Sequence, residues 1–521
     1  MERTSRTTSW SVVRRARENG PFALAGVFAA AFAVAIAHLV ASLLHPQSSP
    51  ILAVGSAVID ATPTPMKTWA IRQFGTNDKI VLIGSVLAGT LVLALVAGII
   101  ARRHLRVGLA ITFLLVALAG AAALRRPTAE ILDLVPAVTA ALLGPLTLWW
   151  LVRALLASEG PAAASDAEPG SSRRGFLIGS GALLLGGAVA AGAGQWIYKV
   201  RSSLGNIRLP GAAKTLPPLP AGLETTIPGI TPFVTPNARF YRVDTKLAVP
   251  IVDHSSWRLS IDGMVDNPFS ITYDELRDMV FEESDITLTC VSNEVGGRYV
   301  GAARWLGVPL RRILDRAGVS PDADQLMSED VEGFKIGTPM SALMDGRNAI
   351  VAIGMNGKVL PREHGFPARL VVPGLYGFVS ATKWVTRLTA TTYAKDTSYW
   401  TDRKWATDAP IKIAARIDTP RPLTNIDPGA TAIGGVAWAQ GTGIERVEVS
   451  IDGGRWQVAE LGPDGGNDYW RQWFLRWDAT KGNHRLAVRA IGKDGAEQTA
   501  VKASPFPDGS SGIQQVLVNV T

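Results

Sequence analysis

Five stretches of the chain, residues 22–44, 80–101, 107–124, 134–152 and 175–198, contain no Asp, Glu, Lys or Arg. Wound as α-helices, each is long enough to cross about 30 Å of hydrocarbon. All five end before residue 199 and none follows. The chain is therefore expected to be multi-domain, with a membrane domain of five transmembrane helices over residues 1–198 and the rest in water.

Charge orients these helices. The formal net charge is +8, with 16 Lys+Arg against 9 Asp+Glu in residues 1–194 and 36 against 35 beyond. A nearly neutral soluble part excludes a basic nucleic-acid-binding face and points to no nucleic-acid partner. The excess flanks the helices instead. Arg3, Arg6, Arg14, Arg15 and Arg17 precede the first, Arg102, Arg103 and Arg106 separate the second and third, and Arg153, Arg173 and Arg174 separate the fourth and fifth. Basic segments stay cytoplasmic, so the N-terminus is expected inside a cytoplasmic membrane and residues 199–521 outside it. The loops with Lys67, Arg72, Lys79, Arg125 and Arg126 carry fewer charges and are expected outside as well.

The fifth apolar run is introduced by Ser172-Arg173-Arg174-Gly175-Phe176-Leu177. It reads as a twin-arginine signal, which exports already folded proteins. Folded export is needed when a cofactor is inserted in the cytoplasm, so a cofactor is expected.

Residues 199–236 are proline-rich, with Leu216-Pro217-Pro218-Leu219-Pro220, and read as an extended tether. Over 237–408 short apolar strands such as Ala368–Val372 alternate with helical stretches such as Pro309–Leu314, the pattern of a mixed α+β domain. Over 409–521, Val447, Val449 and Ile451 alternate with polar residues up to Asp452-Gly453-Gly454, and Leu486, Val488 and Ala490 do so before Lys493-Asp494-Gly495. Two hairpins predict a β-sandwich of the immunoglobulin-like kind.

The chain has one cysteine, so no intramolecular disulfide can form. A lone cysteine is commonly a small buried hydrophobe. Here Cys290 ends the strand-like Asp285-Ile-Thr-Leu-Thr-Cys290-Val-Ser-Asn293, closely followed by Gly301-Ala-Ala-Arg304-Trp305-Leu-Gly307-Val-Pro309-Leu310. A second block runs from Met355-Asn356-Gly357 through Leu360-Pro361, His364-Gly365-Phe366-Pro367 and Arg369 to Pro373-Gly374, then Lys383-Trp384; a third is Thr235-Pro236-Asn237-Ala-Arg-Phe240-Tyr241.

Together these blocks resemble the sulfite-oxidase family of molybdenum-cofactor oxidoreductases, over roughly residues 230–521. The resemblance implies molybdenum held by molybdopterin, with Cys290 as metal ligand. It assigns His364, Arg369 and Lys383 to the pterin phosphate and Asn237, Phe240, Tyr241 and Asn293 to the pterin or the metal's surroundings. Asp330 is placed there too, in a segment that matches less closely. The sandwich corresponds to the family's dimerisation domain, which implies a homodimer. The chemistry suits these residue types, because a soft thiolate beside two dithiolene sulfurs leaves positions for oxo and water ligands, and a phosphate needs fixed cationic donors.

The substrate pattern departs from sulfite oxidisers. Where those carry arginines this chain has Val243, then Asp244-Thr245, and Glu294-Val295; where they carry a tyrosine it has Trp405. Arg242, Arg298 and Arg304 are the arginines left to compensate, and Arg304 joins Cys290 as a catalytic candidate. The resemblance thus implies either oxygen-atom transfer to sulfur, as with sulfite, or reduction of an S- or N-oxide. Electrons would pass to or from a quinone in the bilayer or a partner protein. The spans hold no histidines paired at one depth for haem, only His38 and His45 toward the outer end and His104 at the inner end. Two other classes compete: a surface binding module without metal, and a cysteine hydrolase using His254, His364 or His484.

Overall fold

The computed structural model describes residues 3–74, 77–126, 128–159, 171–201, 204, 207–243 and 246–521. The side chains of Arg173 and Arg174, and the whole of Asp244 and Thr245, lie outside the described residues. The chain forms two compact units, residues 1–203 with 245–251 and residues 204–244 with 252–521.

The first unit is helical: α1 (Arg3–Leu43), α2 (Pro50–Ala61), α3 (Thr64–Phe74), α4 (Asp78–Arg103), α5 (Leu105–Leu124), α6 (Val135–Glu159) and α7 (Ser171–Arg201). Five spans, Glu18–Leu43, Asp78–Arg103, Leu105–Leu124, Ile131–Ala157 and Phe176–Arg201, are long and apolar enough to cross a membrane. Their length and composition point to a multi-pass membrane protein. The two shorter helices, α2 and α3, occupy what reads in sequence as a plain outer loop. Small residues bring α1 against α4: a Cβ on Gly26 would lie 2.0 Å from the Ala94 carbonyl oxygen, and one on Gly98 would lie 2.1 Å from that of Phe22. Close backbone approach of this kind replaces the hydrophobic driving force that lipid removes. Asp133 is 1 % exposed and accepts hydrogen bonds from Arg126 Nη2 (2.5 Å), the Glu130 amide (3.1 Å) and His45 Nδ1 (2.9 Å).

The second unit begins with strands β1 (Arg258–Gly263) and β2 (Phe269–Thr272), helix α8 (Tyr273–Arg277), β3 (Glu282–Thr289), β4 (Val300–Pro309) and α9 (Leu310–Ala317). Then come β5 (Gln325–Asp330), β6 (Lys335–Pro339), α10 (Met340–Met344), β7 (Ile350–Met355), β8 (Lys358–Val359), β9 (Arg369–Val371) and β10 (Val385–Thr391). They build one sheet in the order β2-β1-β10-β5-β6 and a second in the order β3-β4-β7-β8, with β9 on β7. Thr272 caps α8 through a capping box with Glu275, and Gly318 at φ +65° ends α9 in the left-handed conformation glycine tolerates. Ile286, Leu288, Ala303, Trp305, Ile350, Ala352 and Val371 form the core beneath the second sheet.

The remaining strands are β11 (Ala414–Thr419), β12 (Asn425–Ile426), β13 (Gly429–Trp438), β14 (Ile444–Ile451), β15 (Gln457–Val458), β16 (Glu460–Leu461), β17 (Arg471–Ala479), β18 (Gly482–Gly492) and β19 (Gln514–Val520). They form two sheets, β11-β13-β17-β16 and β12-β19-β18-β14-β15, packed over Ile433, Val447, Val449, Trp473, Leu486 and Val488. This is a β-sandwich of fibronectin or immunoglobulin character. The first expected hairpin turn joins β14 to β15. The second does not lead into a full strand: only an isolated bridge, Ile491 with Glu497, follows it before β19 begins at Gln514.

Candidate active site

Cys290 follows the last residue of β3. Its amide donates to the Tyr299 carbonyl (2.9 Å) and its carbonyl accepts from the Asn293 amide (3.0 Å), which closes the thiol-bearing loop back on itself. Asn293 locks the same loop by accepting from the Tyr299 amide at 2.8 Å. The thiol is 9 % exposed, and burial pushes its pKa up, opposed by bonds to Ser292 and by the charge of Lys383. Such a thiol is poorly ionised unless something cationic meets it. A hydrolytic nucleophile needs the opposite shift and a histidine in reach. Among the described residues none bonds it: His364 bonds Asn237, His484 bonds Asp452 and Thr480, and His254 lies beside Asp253.

β3 is an edge strand, and its outer side is completed by the sandwich. The Thr287 amide donates to the Asp468 carbonyl (2.9 Å), the Trp470 amide donates to Thr287 Oγ1 (2.8 Å), and Gln440 Nε2 donates to the Thr287 carbonyl. Beyond the cysteine, Ser510 Oγ donates to the Asn293 carbonyl (2.5 Å) and Arg416 Nη1 to the Gly297 carbonyl (2.8 Å). The two folding domains of this unit thus share custody of the cysteine loop.

Across the site, Phe240 stacks on Tyr241 with centroids 5.3 Å apart and meets Trp305 and His364 edge-on at 5.7 and 5.6 Å. The Tyr241 phenol is held well above its ordinary range by burial and by the neighbouring Cys290, against the pull of Arg369. His364 is 3 % exposed, and its Nε2 donates to the Asn237 carbonyl at 2.8 Å. Burial lowers its pKa to about 4 despite that bond, so the ring is neutral at physiological pH. The Asn237 side chain is tied to Asn356 (2.7 Å) and the Met355 carbonyl (3.2 Å), so this residue positions its neighbours through its backbone. Asn356, which also bonds the Arg304 amide (3.0 Å) and the Thr235 carbonyl (2.9 Å), ties two sequence blocks together; its place in the Met-Asn-Gly turn was the only sequence signal for it.

Arg369 opens β9, is 5 % exposed, and donates to the carbonyls of His364 (3.1 Å) and Leu370 (3.4 Å), with its guanidinium 5.1 Å from the Trp305 ring centre. No carboxylate among the described residues pairs with it, and desolvation lowers its pKa to about 10. A buried cation without a counter-charge is a site prepared for an anion. Gly365 makes the second donor available: at φ +115°, a Cβ there would lie 3.0 Å from the Cβ atoms of both Arg369 and Lys383. Lys383 lies over the Trp384 ring at 4.7 Å, and Trp384 itself has φ +53°, a strained conformation held by its amide on Gly365 and its indole on Arg362.

Two candidates have other work. Arg304 faces away from the thiol: its guanidinium forms a two-point pair with Asp285 (2.8 and 2.7 Å) and reaches the carbonyls of Leu216 (3.3 Å) and Pro217 (2.7 Å). Asp285 and Cys290 are five positions apart on an extended strand, which gives their side chains opposite faces. Arg304 therefore pins the proline-rich segment, with its guanidinium committed to Asp285. Asp330 accepts from the amides of Glu332 (2.8 Å) and Phe334 (3.0 Å), shaping the turn between β5 and β6. Val243, Glu294 and Val295 are exposed, as are Arg242 and Arg298.

Residues 246–400 match the oxidoreductase molybdopterin-binding domain. Over these residues the chain carries a molybdopterin-binding oxidoreductase domain similar to that of sulfite oxidases. The chain is 30 % identical over 294 residues to the sulfite oxidase of Gallus gallus, covering 47 % of this chain and 63 % of that protein. With human mitochondrial sulfite oxidase it shares 30 % over 305 residues, 49 % of this chain and 55 % of that protein. With the NADH nitrate reductase 1 of Oryza sativa subsp. japonica it shares 29 % over 330 residues, 52 % and 35 %. The chain thus spans between about half and two thirds of the sulfite oxidases it matches. A solved structure of the sulfane dehydrogenase SoxCD from Paracoccus pantotrophus overlaps at 25 % identity and a TM-score of 0.49, covering 55 % of this chain and 83 % of that one. A molybdopterin-binding domain implies molybdenum in molybdopterin, and the donor set fits it: one buried soft thiol, and a buried cation without a counter-charge beside a second, lysine cation.

Proposed function

We propose that the protein is a membrane-anchored oxidoreductase with an extracytoplasmic active site, which transfers an oxygen atom at sulfur in a two-electron reaction, as sulfite oxidation does. The pairing of a buried thiol with the carboxylate-free Arg369 carries this reading. When bound, the molybdenum cofactor supplies the two-electron oxygen-transfer chemistry. Cys290 anchors the metal, and its raised pKa favours a thiolate only when a cation is bound to it. Arg369 and Lys383 hold the pterin phosphate, and neutral His364 keeps the Asn237 segment closed over it while offering its other ring nitrogen. Phe240 and Tyr241 form one wall, and Asn293 fixes the loop. Asp330 supports the pterin region through its turn.

A second reading, reduction of an S- or N-oxide at the same metal, is favoured by the residues that stand where sulfite oxidisers have cationic ones. Glu294 and the apolar Val243 and Val295 do not recognise a dianion. In either direction the substrate is a small molecule, electrons pass to or from a quinone or a partner protein, and the sandwich supports a homodimer. Cys290→Ser tests the assignment, since it exchanges a soft ligand for a hard, barely ionised hydroxyl of similar size. We expect unchanged melting, lost turnover of sulfite and sulfoxides, and a lost or altered molybdenum paramagnetic signal. Turnover at the parent rate would remove Cys290 from the metal.

A further inference from the structure

An anchor needs only apolar surface, so polar and ionisable side chains inside membrane spans call for a function. Asp133 has one, because Arg126, His45 and the Glu130 amide satisfy its carboxylate and close it as a staple at the start of the Ile131–Ala157 span. His38 is arranged differently. It lies within the Glu18–Leu43 span, and its Nδ1 is 3.2 Å from Oγ of Ser49, which is itself 1 % exposed. With the serine hydroxyl donating to Nδ1, the ring proton sits on Nε2. Among the described residues Nε2 has no hydrogen-bond partner. Gly194 lets the α7 backbone pack directly on one edge of the ring: a Cβ there would lie 3.1 Å from His38 Cδ2 and 3.2 Å from Ser42 Oγ.

In that tautomer the half-buried ring offers one N–H donor beside α7, backed by a buried serine. A ligand reaching it from the bilayer must be lipid-soluble, uncharged, flat enough to pass a helix, and tipped with a strong acceptor. We propose that His38, backed by Ser49, binds a carbonyl oxygen of a membrane quinone head group. The inference rests on the chain being a membrane-anchored oxidoreductase, which must exchange electrons with something. Neither a haem-binding histidine pair nor a second cysteine is present in the sequence to supply another carrier.

The test uses the full-length, cofactor-loaded protein in phosphatidylcholine nanodiscs and a photoreactive azidoquinone, with decylubiquinone as competitor. Labelling is expected on peptides holding residues 38–49 and 190–198, and decylubiquinone should displace it. His38→Leu should lower labelling roughly ten-fold, whereas His38→Gln, which keeps an N–H donor, should retain most of it. Ser49→Ala should lower it roughly three-fold and serves if His38→Leu fails to assemble. Labelling spread evenly over the lipid-facing helices, unaffected by decylubiquinone, or unchanged in both His38→Leu and Ser49→Ala would overturn the proposal; the first two patterns would signify unspecific partition into lipid. Cys290→Ser, which tests the metal, should label like the parent. Loss of metal and loss of quinone labelling are thus separate results.

Discussion

Arg369→Met should make the cofactor-free protein slightly more stable and leave it unable to load cofactor. The guanidinium is 5 % exposed, and its pKa falls from 12.5 to about 10, so keeping the charge buried costs about 3 kcal/mol, at about 1.4 kcal/mol per pKa unit. The charged hydrogen bond to the His364 carbonyl returns about 1.5 kcal/mol, and the Trp305 ring returns about 0.5 kcal/mol. A net cost of about 1 kcal/mol remains in the absence of an anion. Methionine keeps most of the packing on Trp305 and removes that cost. Protein made without molybdenum should therefore melt about 2–4 °C higher as the variant, read by tryptophan fluorescence. Protein made with molybdenum should contain little metal or pterin. A cofactor-free variant that melts many degrees lower would refute the idea that Arg369 is held ready for an anion and would make it an ordinary structural cation. Full cofactor content would refute its place in the phosphate clamp.

His364 gives a pH test of the same pocket. Its folded pKa of about 4 lies below the ordinary 6.5, so between those values the unfolded chain binds a proton that the native ring refuses. Stability of the cofactor-free protein should fall as pH drops through that window, by up to about 3 kcal/mol, and His364→Gln should flatten the dependence in denaturant titrations. Arg304→Leu should strand the buried Asp285 carboxylate and destabilise the fold by about 3 kcal/mol, while the activity per bound molybdenum stays at the parent value; a large fall in that ratio would restore Arg304 to catalysis. Replacing Arg173 and Arg174 together by lysine should leave residues 199–521 in the cytoplasm with the first four spans inserted, as reported by protease protection; normal export would refute the folded-export reading.

The membrane spans were legible because a charge-free run of that length has few other uses, and their ends moved by only a few residues in the structure. α2 was not, because the twelve residues Pro50–Ala61 neither cross a bilayer nor look unlike a loop. The motif singled out Arg369, yet it could not reveal that the residue is buried or that Gly365 is what lets Lys383 approach it. The contacts of Arg304 were not legible, for a definable reason. Its neighbours in sequence belong to the site, but strand alternation turns it toward Asp285 and a proline-rich segment almost ninety residues earlier. Contacts made by residues remote in sequence, such as Arg416 and Ser510, leave no local signature.

The edge of β3 sets a schedule for the whole molecule. Ser510, which holds the Asn293 carbonyl, lies 217 residues downstream of it, and the amide and carbonyl of Thr287 wait for Asp468 and Gln440. An emerging chain that has already made its thiol therefore has no finished loop to present until Ser510 has left the ribosome. The loop is completed only after the sandwich has been made, and truncation ahead of residue 510 would loosen it before removing any residue of the domain that carries the thiol.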